Sequence, residues 1–487
     1  MNKPTKYYDF LGAIKSLSID LKDDFYAFFK HFWGEIEFSQ LNENWHIKYL
    51  CDELSVAGKR VINNEPKEYD LVINVPPGST KSRITSIMFP VWLWINNPTL
   101  KLITASYSGD LADDFAIKSR DIIRSKYFKI MYPEVSIRAD RDRISKYENT
   151  HSGERQSIGF NGTVTGKHAD VIIIDDPLKA EDSFSTAKRT HANRVVSNTL
   201  SRRKRNNKVT LTILIMQRLH EDDPTSHFLK KEKVKHICLP GQLTDDVKPD
   251  ILRQYYKNGL FDNVRMDNDA LREIKSELGS FGFAAQILQN PLKSDSVIFN
   301  PEWWNYYDKL PDCNLVIQVW DTAYKQGQGN DYSVCGTWGI AHNGIYLIDL
   351  FRNKITYPDL EREAINQYKK HLPKLVLIED AASGQSLIPS LKRKTRIPIK
   401  PVTPKNKVVR AHEVSPVIEN RFVYIPEKAS FIDDFIREHT GFPNSTNDDI
   451  VDTTTMALEY LYPRFSNSIT KSKSNSISKI ETQLEGY

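Results

Sequence analysis

Short unbroken apolar runs alternate with stretches of helical periodicity between Tyr69 and Pro240: YDLVINV, KLITASY, DVIIIDD, KVTLTILIM and KVKHICLP. Runs that are apolar at every position suit strands covered on both faces. Strands separated by helices predict a parallel sheet between helical layers. Ahead of them, FYAFFKHFWGEIEF and WHIKYLCDELSVAGKRVI repeat apolar residues three and four apart, which predicts a mostly helical start up to about residue 60. IMFPVWLWI (Ile87 to Ile95) is about half the length of a bilayer crossing and reads as a buried helix.

The pattern loosens after Gly241. KPDILRQYYKNGLFDN and ALREIKSELGSFGFAAQILQNP predict a connecting segment with helices over 241–300. Beyond it NLVIQVWDTA, YSVCGTWGIAH and GIYLIDLFRNKI predict three successive strands, with Asn343-Gly344 as a hairpin signal. A helix (PDLEREAINQYKKHL), a strand (KLVLIED), a further helix and a strand (IPIKPVT) follow. A three-strand meander followed by helix, strand, helix, strand is the element order of RNase H-like folds, a likeness by analogy. SNSITKSKSNSISKIETQ is rich in Ser and Lys, which predicts a disordered tail over 466–487. There is no internal repeat.

A chain of 487 residues exceeds one ordinary core, so the expectation is an α/β protein of two main domains, 1–240 and 301–465, joined by 241–300. Net charge is +5, from 67 basic and 62 acidic residues, a balance too even to identify or exclude a nucleic-acid partner. Four scattered cysteines without C-x-x-C spacing argue against a zinc site or a disulfide framework, and for a reducing cytoplasm. The N-terminus lacks the apolar core of a secretion signal, so the expectation is a soluble chain with no membrane partner.

Two groups of residues carry chemistry. LVINVPPGSTKS (Leu71 to Ser82) ends a predicted strand in a loop of the kind that offers backbone N–H groups to phosphate, with Lys81 for the outer phosphates and the Ser82 hydroxyl for Mg²⁺. Pro77, Gly78, Ser79 and Thr80 form the loop. Val75 and Thr80 stand where the usual pattern has glycine, and Gly78 is the available source of backbone freedom. The bland alternative is a turn with a solvated lysine. VIIIDDP ends a second strand in Asp175, read as the metal holder, and Asp176, read as the group that orients water. A third strand ends in Gln217, placed to sense the γ-phosphate, or simply to terminate the strand.

The second group is a set of acids: Asp321 in LVIQVWD, Glu379 and Asp380 at the end of KLVLIED, and Asp448, Asp449 and Asp452 opening DDIVDTTTMALEYL. Two-metal phosphodiester cleavage needs carboxylates from separated stretches converging on a pair of cations. Alternation on a strand directs only one of Glu379 and Asp380 into such a site, and both remain open. Helix capping is the alternative for Asp448.

With both groups in view, the chain resembles the large terminase subunit of tailed bacteriophages from about residue 40 to 462. Pro76, Pro77, Lys81 and Ser82 match the family's P-P-R-x-G-K-S loop, with Gly78 in place of its Arg and Thr80 in place of its Gly. Asp175, Asp176 and Pro177 match its acidic strand end. Arg218, His220, Glu221 and Asp223 match T-R-W-H-E-x-D, with Gln217 and Leu219 as departures. WDTA, IEDAASG and NDDIVD resemble its nuclease motifs, and GFAAQILQNP the segment leading into them.

The resemblance implies a P-loop ATPase of the RecA/ASCE type fused to an RNase H-like nuclease. It implies ATP and Mg²⁺ as cofactors, with Mn²⁺ an option at the nuclease. The implied partners are double-stranded DNA, a small terminase subunit, a portal protein and further copies in a pentameric ring. The implied place is the cytoplasm of the infected host, outside the mature virion. A ring motor calls for a neighbour's arginine, for which Arg155, Arg194 and Arg202 are candidates. Arg202, Arg203, Lys204 and Arg205 read as a solvated loop or as a phosphate contact, and Lys405, Lys407 and Arg410 as DNA-positioning groups. The rival is a helicase or restriction-type translocase with a fused nuclease, which needs a second RecA-like domain.

Overall fold

The structure is a computed structural model and describes residues 5–160, 162, 168–293, 297–322, 332–381 and 384–484. The chain divides into two compact units, Met1–Lys275 with Phe281–Ser294, and Ser276–Ser280 with Asp295–Tyr487.

The first unit is built on strands β1 (Asp70–Asn74), β2 (Lys101–Ser106), β3 (Ile137–Asp142), β4 (Lys146–Asn149), β5 (Glu154–Gly159), β6 (Val171–Asp175), β7 (Leu211–Met216) and β8 (Val234–Cys238). They form one sheet in the order β3-β4-β5-β2-β6-β7-β1-β8. The strands from β5 to β8 across this sheet are mutually parallel, while β3 and β4 pair antiparallel at the edge. Every residue of β1, β6 and β7 is buried, as their apolar central positions require, and the polar Asp70, Asn74, Asp175 and Thr212 are buried with them. Because β7 lies between β1 and β6, the loop after β1, the acids ending β6 and Gln217 after β7 emerge at the same end of the sheet. The helix Phe89–Asn96 is buried from Phe89 to Ile95, as expected of the IMFPVWLWI run, and follows a π-helical turn over Arg83–Met88.

The edge strands β3 to β5 were not foreseen. IRADRD is polar at almost every position, and ERQSIG is buried despite its polar residues, so neither shows the apolar pattern of a strand. The basic run also finds its place. Lys204 pairs with Asp70 at 3.2 Å and Arg205 with Asp170 at 2.9 Å, where β1 and β6 begin. That is the end of the sheet opposite the loop after β1, and it ties half of the run to the protein's own acids.

The second unit contains β9 (Asn305–Tyr307), β10 (Leu315–Asp321), β11 (Ser333–Ala341), β12 (Gly344–Asn353), β13 (Leu375–Glu379), β14 (Ile399–Val402) and β15 (Val423–Pro426). Their order is β14-β13-β10-β11-β12-β15-β9. β10, β11 and β12 form the expected antiparallel meander, and β13 returns parallel to β10. Alternation then sorts the side chains. Ile317, Val319 and Leu377 enter the core built with the helices Lys407–Glu419 and Asp449–Leu484. Trp320, Val376 and Ile378 enter the core on the opposite face, built with the helices Tyr357–His371 and Gly384–Lys394.

The last helix continues to Leu484, so 466–484, expected to be disordered, are helical in backbone, and 485–487 lie outside the described residues. The stretch after Pro463 contains no further proline or glycine until Gly486, so nothing in it breaks a helix already started. No described helix is long and apolar enough to cross a membrane.

Candidate functional site

The phosphate-loop region is assembled from β1, β6 and the turns after them. Gly78 (φ 74°) and Thr80 (φ 66°) are both left-handed. Glycine takes that conformation freely, whereas a β-branched threonine does so only under constraint. Two groups from distant sequence hold the loop. His46 Nε2 lies 3.0 Å from the Ser79 carbonyl, and Arg265 Nη1 donates to the Gly78 carbonyl at 3.0 Å and to Thr80 Oγ1 at 3.4 Å. No motif marks either residue, and each lies too far along the chain for spacing to reveal it.

Lys81, read as the group for the outer phosphates, and Asp176, read as the group that orients water, form an ion pair at 3.0 Å. Asp176 is itself left-handed, at φ 43°. Its N–H continues the ladder to Ile215 O at 2.9 Å while its carbonyl accepts from Tyr107 N at 3.2 Å. These bonds hold the residue in a turn that directs its carboxylate to Lys81. Asp175 is fully buried and accepts from Ser82 Oγ at 3.0 Å and from Ser86 Oγ at 2.6 Å. Burial and the neighbouring Asp176 charge push its carboxyl up to about 7. Ser86 went unrecognised in the sequence, although it follows Ser82 by one helical turn on the same face.

Gln217 is half-buried just beyond β7, between the loop and Asp175. The QRLHEDD segment closes on itself: Asp223 is buried, accepts from Arg218 Nε at 2.9 Å and from Ser226 N at 3.2 Å, and caps a short helix. Arg155 is corrected as a candidate for the neighbour's arginine. It is 1% exposed, and its guanidinium donates inward to Ser119 Oγ, the Ser86 carbonyl and Thr104 Oγ1. Arg194 and Arg202 are exposed.

In the second unit Asp321 ends β10 and Glu379 ends the adjacent β13, with Trp320 opposite Ile378 in register. Parity carries Asp321 and Glu379 to the face of the last helix, where Asp449 and Asp452 stand. Asp380 is the correction. It has the other parity and is exposed at the strand end, so Glu379 is the acid brought to the cluster. Sequence alone left this open because both faces of β13 are apolar. The turn after β13 requires glycine: a Cβ at Gly384 would sit 2.1 Å from the Glu379 carbonyl.

Burial, then Asp452 and Glu379, push the Asp321 carboxyl up to about 8. Burial and neighbouring acids also raise Asp449 and Asp452. Two cations lie among these groups. Arg410 is fully buried and donates to Asp452 Oδ1 at 2.7 Å, Thr455 Oγ1 at 2.9 Å and Glu379 Oε1 at 3.5 Å. Lys407 pairs with Asp448 at 2.7 Å and with Asp452. Lys405 pairs with Glu459 and Glu413. The three basic residues expected to position DNA are thus engaged with acids, which the Pro-rich sequence around them did not disclose.

Among the described residues no three acids form a ready metal-binding group. Asp452 already has both oxygens paired with Arg410 and Lys407. The donor set still fits a hard divalent cation, since all its atoms are oxygens, and Asp321 is raised first by its burial and then by the Asp452 and Glu379 charges, which Lys407 only partly offsets.

Residues 318–461 match a family model described as the terminase RNaseH-like domain. They form a terminase RNase H-like domain. β10 to β15 and the helix carrying Asp449 and Asp452 belong to it. The large terminase subunit of Enterobacteria phage T3 is 25% identical over 314 residues, which are 57% of this chain and 48% of that protein. The chain therefore spans about half the length of the curated relative it matches. The large terminase of a thermophilic bacteriophage, in its second crystal form, superposes with a TM-score of 0.53 at 12% identity, covering 83% of this chain and 98% of that one. The same phage protein in complex with ATP-gamma-S gives a TM-score of 0.50 at 10% identity, over 82% and 97%. At such identities the structural likeness is one of fold. An α/β unit with a parallel-rich sheet precedes the terminase RNase H-like domain, and the chain resembles phage large terminase subunits in that order.

Proposed function

We propose that this chain is the ATP-driven motor and nuclease of viral DNA packaging. In this reading the first unit hydrolyses ATP to translocate double-stranded DNA into a procapsid, and the terminase RNase H-like domain cuts concatemeric DNA at initiation and termination. The observation that carries it is the coexistence in one chain of Lys81 against Asp176 with Ser82 against Asp175, and of Asp321, Glu379, Asp449 and Asp452 gathered on a second sheet. The rival helicase reading needs a second RecA-like sheet. The second unit has an antiparallel meander instead.

At the first site Lys81 binds the outer phosphates, leaving Asp176 free to orient a water and take its proton. The Ser82 hydroxyl and Asp175 would hold Mg²⁺, which would supply positive charge against the phosphates. Pro77, Gly78, Ser79 and Thr80 shape the loop, and Gln217 senses the γ-phosphate. At the second site Asp321, Glu379 and Asp449 would hold Mg²⁺ or Mn²⁺, joined by Asp452 on release from Lys407, while Asp448 stands at the rim with Lys407. Partners in this reading are a small terminase subunit, a portal protein and further copies in a pentameric ring. Arg194 or Arg202 offers the exposed guanidinium that a neighbour needs. The place of action is the host cytoplasm, outside the mature virion.

The direct test is ATP turnover by the purified full chain with Mg²⁺. Hydrolysis accelerated by linear double-stranded DNA is expected. Absence of turnover with and without DNA would refute the motor.

A further inference from the structure

In a trans peptide the C=O and the following N–H point in opposite directions, so a group that fixes one fixes the other. Arg265 holds the carbonyl of Gly78, which turns the Ser79 N–H the opposite way. His46 donates to the carbonyl of Ser79, which does the same for the Thr80 N–H. Since a carbonyl only accepts, Nε2 of His46 carries the hydrogen. Two consecutive amides are oriented by two side chains that come from outside the loop.

The brace on Arg265 is itself braced. Its Nε donates to Asp262 Oδ2 at 2.6 Å, and Asp262 Oδ1 accepts from Val264 N at 3.1 Å and from Arg265 N at 3.2 Å. Asp262 is 2% exposed, so the carboxylate fixes the guanidinium in place. Nη2 of the same guanidinium is buried with no partner among the described residues.

We infer that Arg265 is a positioning residue for nucleotide binding, holding the Gly78–Ser79 peptide so that its amide faces the phosphates. It supplies from outside the loop a guanidinium where Gly78 leaves the loop itself without one. The inference rests on the ATPase reading. It names a determinant that acts through the loop and involves no atom that reacts. Thr80 belongs to the same device: its hydroxyl meets Arg265 Nη1 while its backbone is held at φ 66°.

The experiment is calorimetric titration of ATPγS with Mg²⁺ into the full chain, comparing wild type, Arg265→Ala, Arg265→Lys and Arg253→Ala. Arg253 lies in the same segment but pairs with the exposed Asp245, so its variant serves as the control. Arg265→Ala is expected to weaken binding by about tenfold or more, the worth of a charge-assisted hydrogen bond, and to lower the ligand-free unfolding midpoint because it strands the buried Asp262 carboxylate. Arg265→Lys keeps the charge but loses the two-pronged geometry, and an intermediate loss of about threefold is expected. Arg253→Ala should bind as wild type does. Binding by Arg265→Ala within about twofold of wild type would overturn the inference while leaving the ATPase reading intact. If Arg265→Ala does not fold, unimpaired binding by Arg265→Lys overturns it instead. A wild-type chain that binds no ATPγS would remove the ATPase reading and this inference together.

Discussion

Arg410 Nη2 donates to Asp452 Oδ1 at 2.7 Å, and neither side chain reaches solvent. A buried pair gives little net stability over an apolar replacement, but removing one partner strands the other. Arg410→Ala is therefore expected to cost about 3–5 kcal/mol in urea unfolding of the full chain, by leaving Asp452 and Glu379 without their buried cation. Arg410→Ala combined with Asp452→Ala should recover part of that loss. A single-variant cost below about 1 kcal/mol would show that the pair bears no structural weight.

Lys407 sits against Asp448 and Asp452, two acids at the proposed nuclease centre. A divalent ion entering there meets a positive charge already in place. Lys407→Ala is expected to tighten Mn²⁺ binding to the metal-stripped chain by about tenfold, as removal of one nearby like charge implies. Calorimetry reads this directly, and weaker binding would contradict it. Protons compete as well. Because the Asp321 carboxyl is pushed up to about 8 by burial, Asp452 and Glu379, Mn²⁺ binding should tighten as pH rises toward that value. Asp321→Asn should flatten this dependence.

Asp349 on β12 accepts from His371 Nε2 at 2.8 Å and from Lys370 Nζ at 2.6 Å, and these bonds hold its carboxyl down at about 2. A depressed carboxyl means that the unfolded chain binds the proton more readily than the folded one. The stabilisation is therefore present above the unfolded value near 4 and is lost as pH falls from about 4 to about 2. Allowing for solvent screening, the contribution is about 1 kcal/mol. Asp349→Asn should lower the stability at neutral pH by that amount and reduce the loss between about pH 4 and 2. An unchanged acid limb would contradict the assignment.

Much of this was readable before the fold was known, and the reasons are physical. β1, β6, β7 and β10 are apolar runs ending in polar residues, so their burial and their chemistry are written in adjacent positions. The choice of Glu379 over Asp380 was not readable, because Val376 and Leu377 are equally apolar and only the fold says which layer each meets. β5 escaped because Gln156 and Ser157 are polar yet buried. Arg155 and Arg410 looked like surface cations available to a neighbour or to DNA, and both turned out fully enclosed. Arg265 and His46 carried no signal, since a group that braces a loop from far along the chain has no fixed spacing to it.

Two separable carboxylate sites in one chain are the centre of this account, and one assay measures both. Supercoiled plasmid, ATP and Mn²⁺ with Mg²⁺ are incubated with the full chain as wild type, Lys81→Ala or Asp321→Ala, while phosphate release and nicking are followed together. Lys81→Ala is expected to lose ATP turnover and keep cutting, and Asp321→Ala to lose cutting and keep ATP turnover. Loss of both activities in either correctly folded variant would contradict two independent sites.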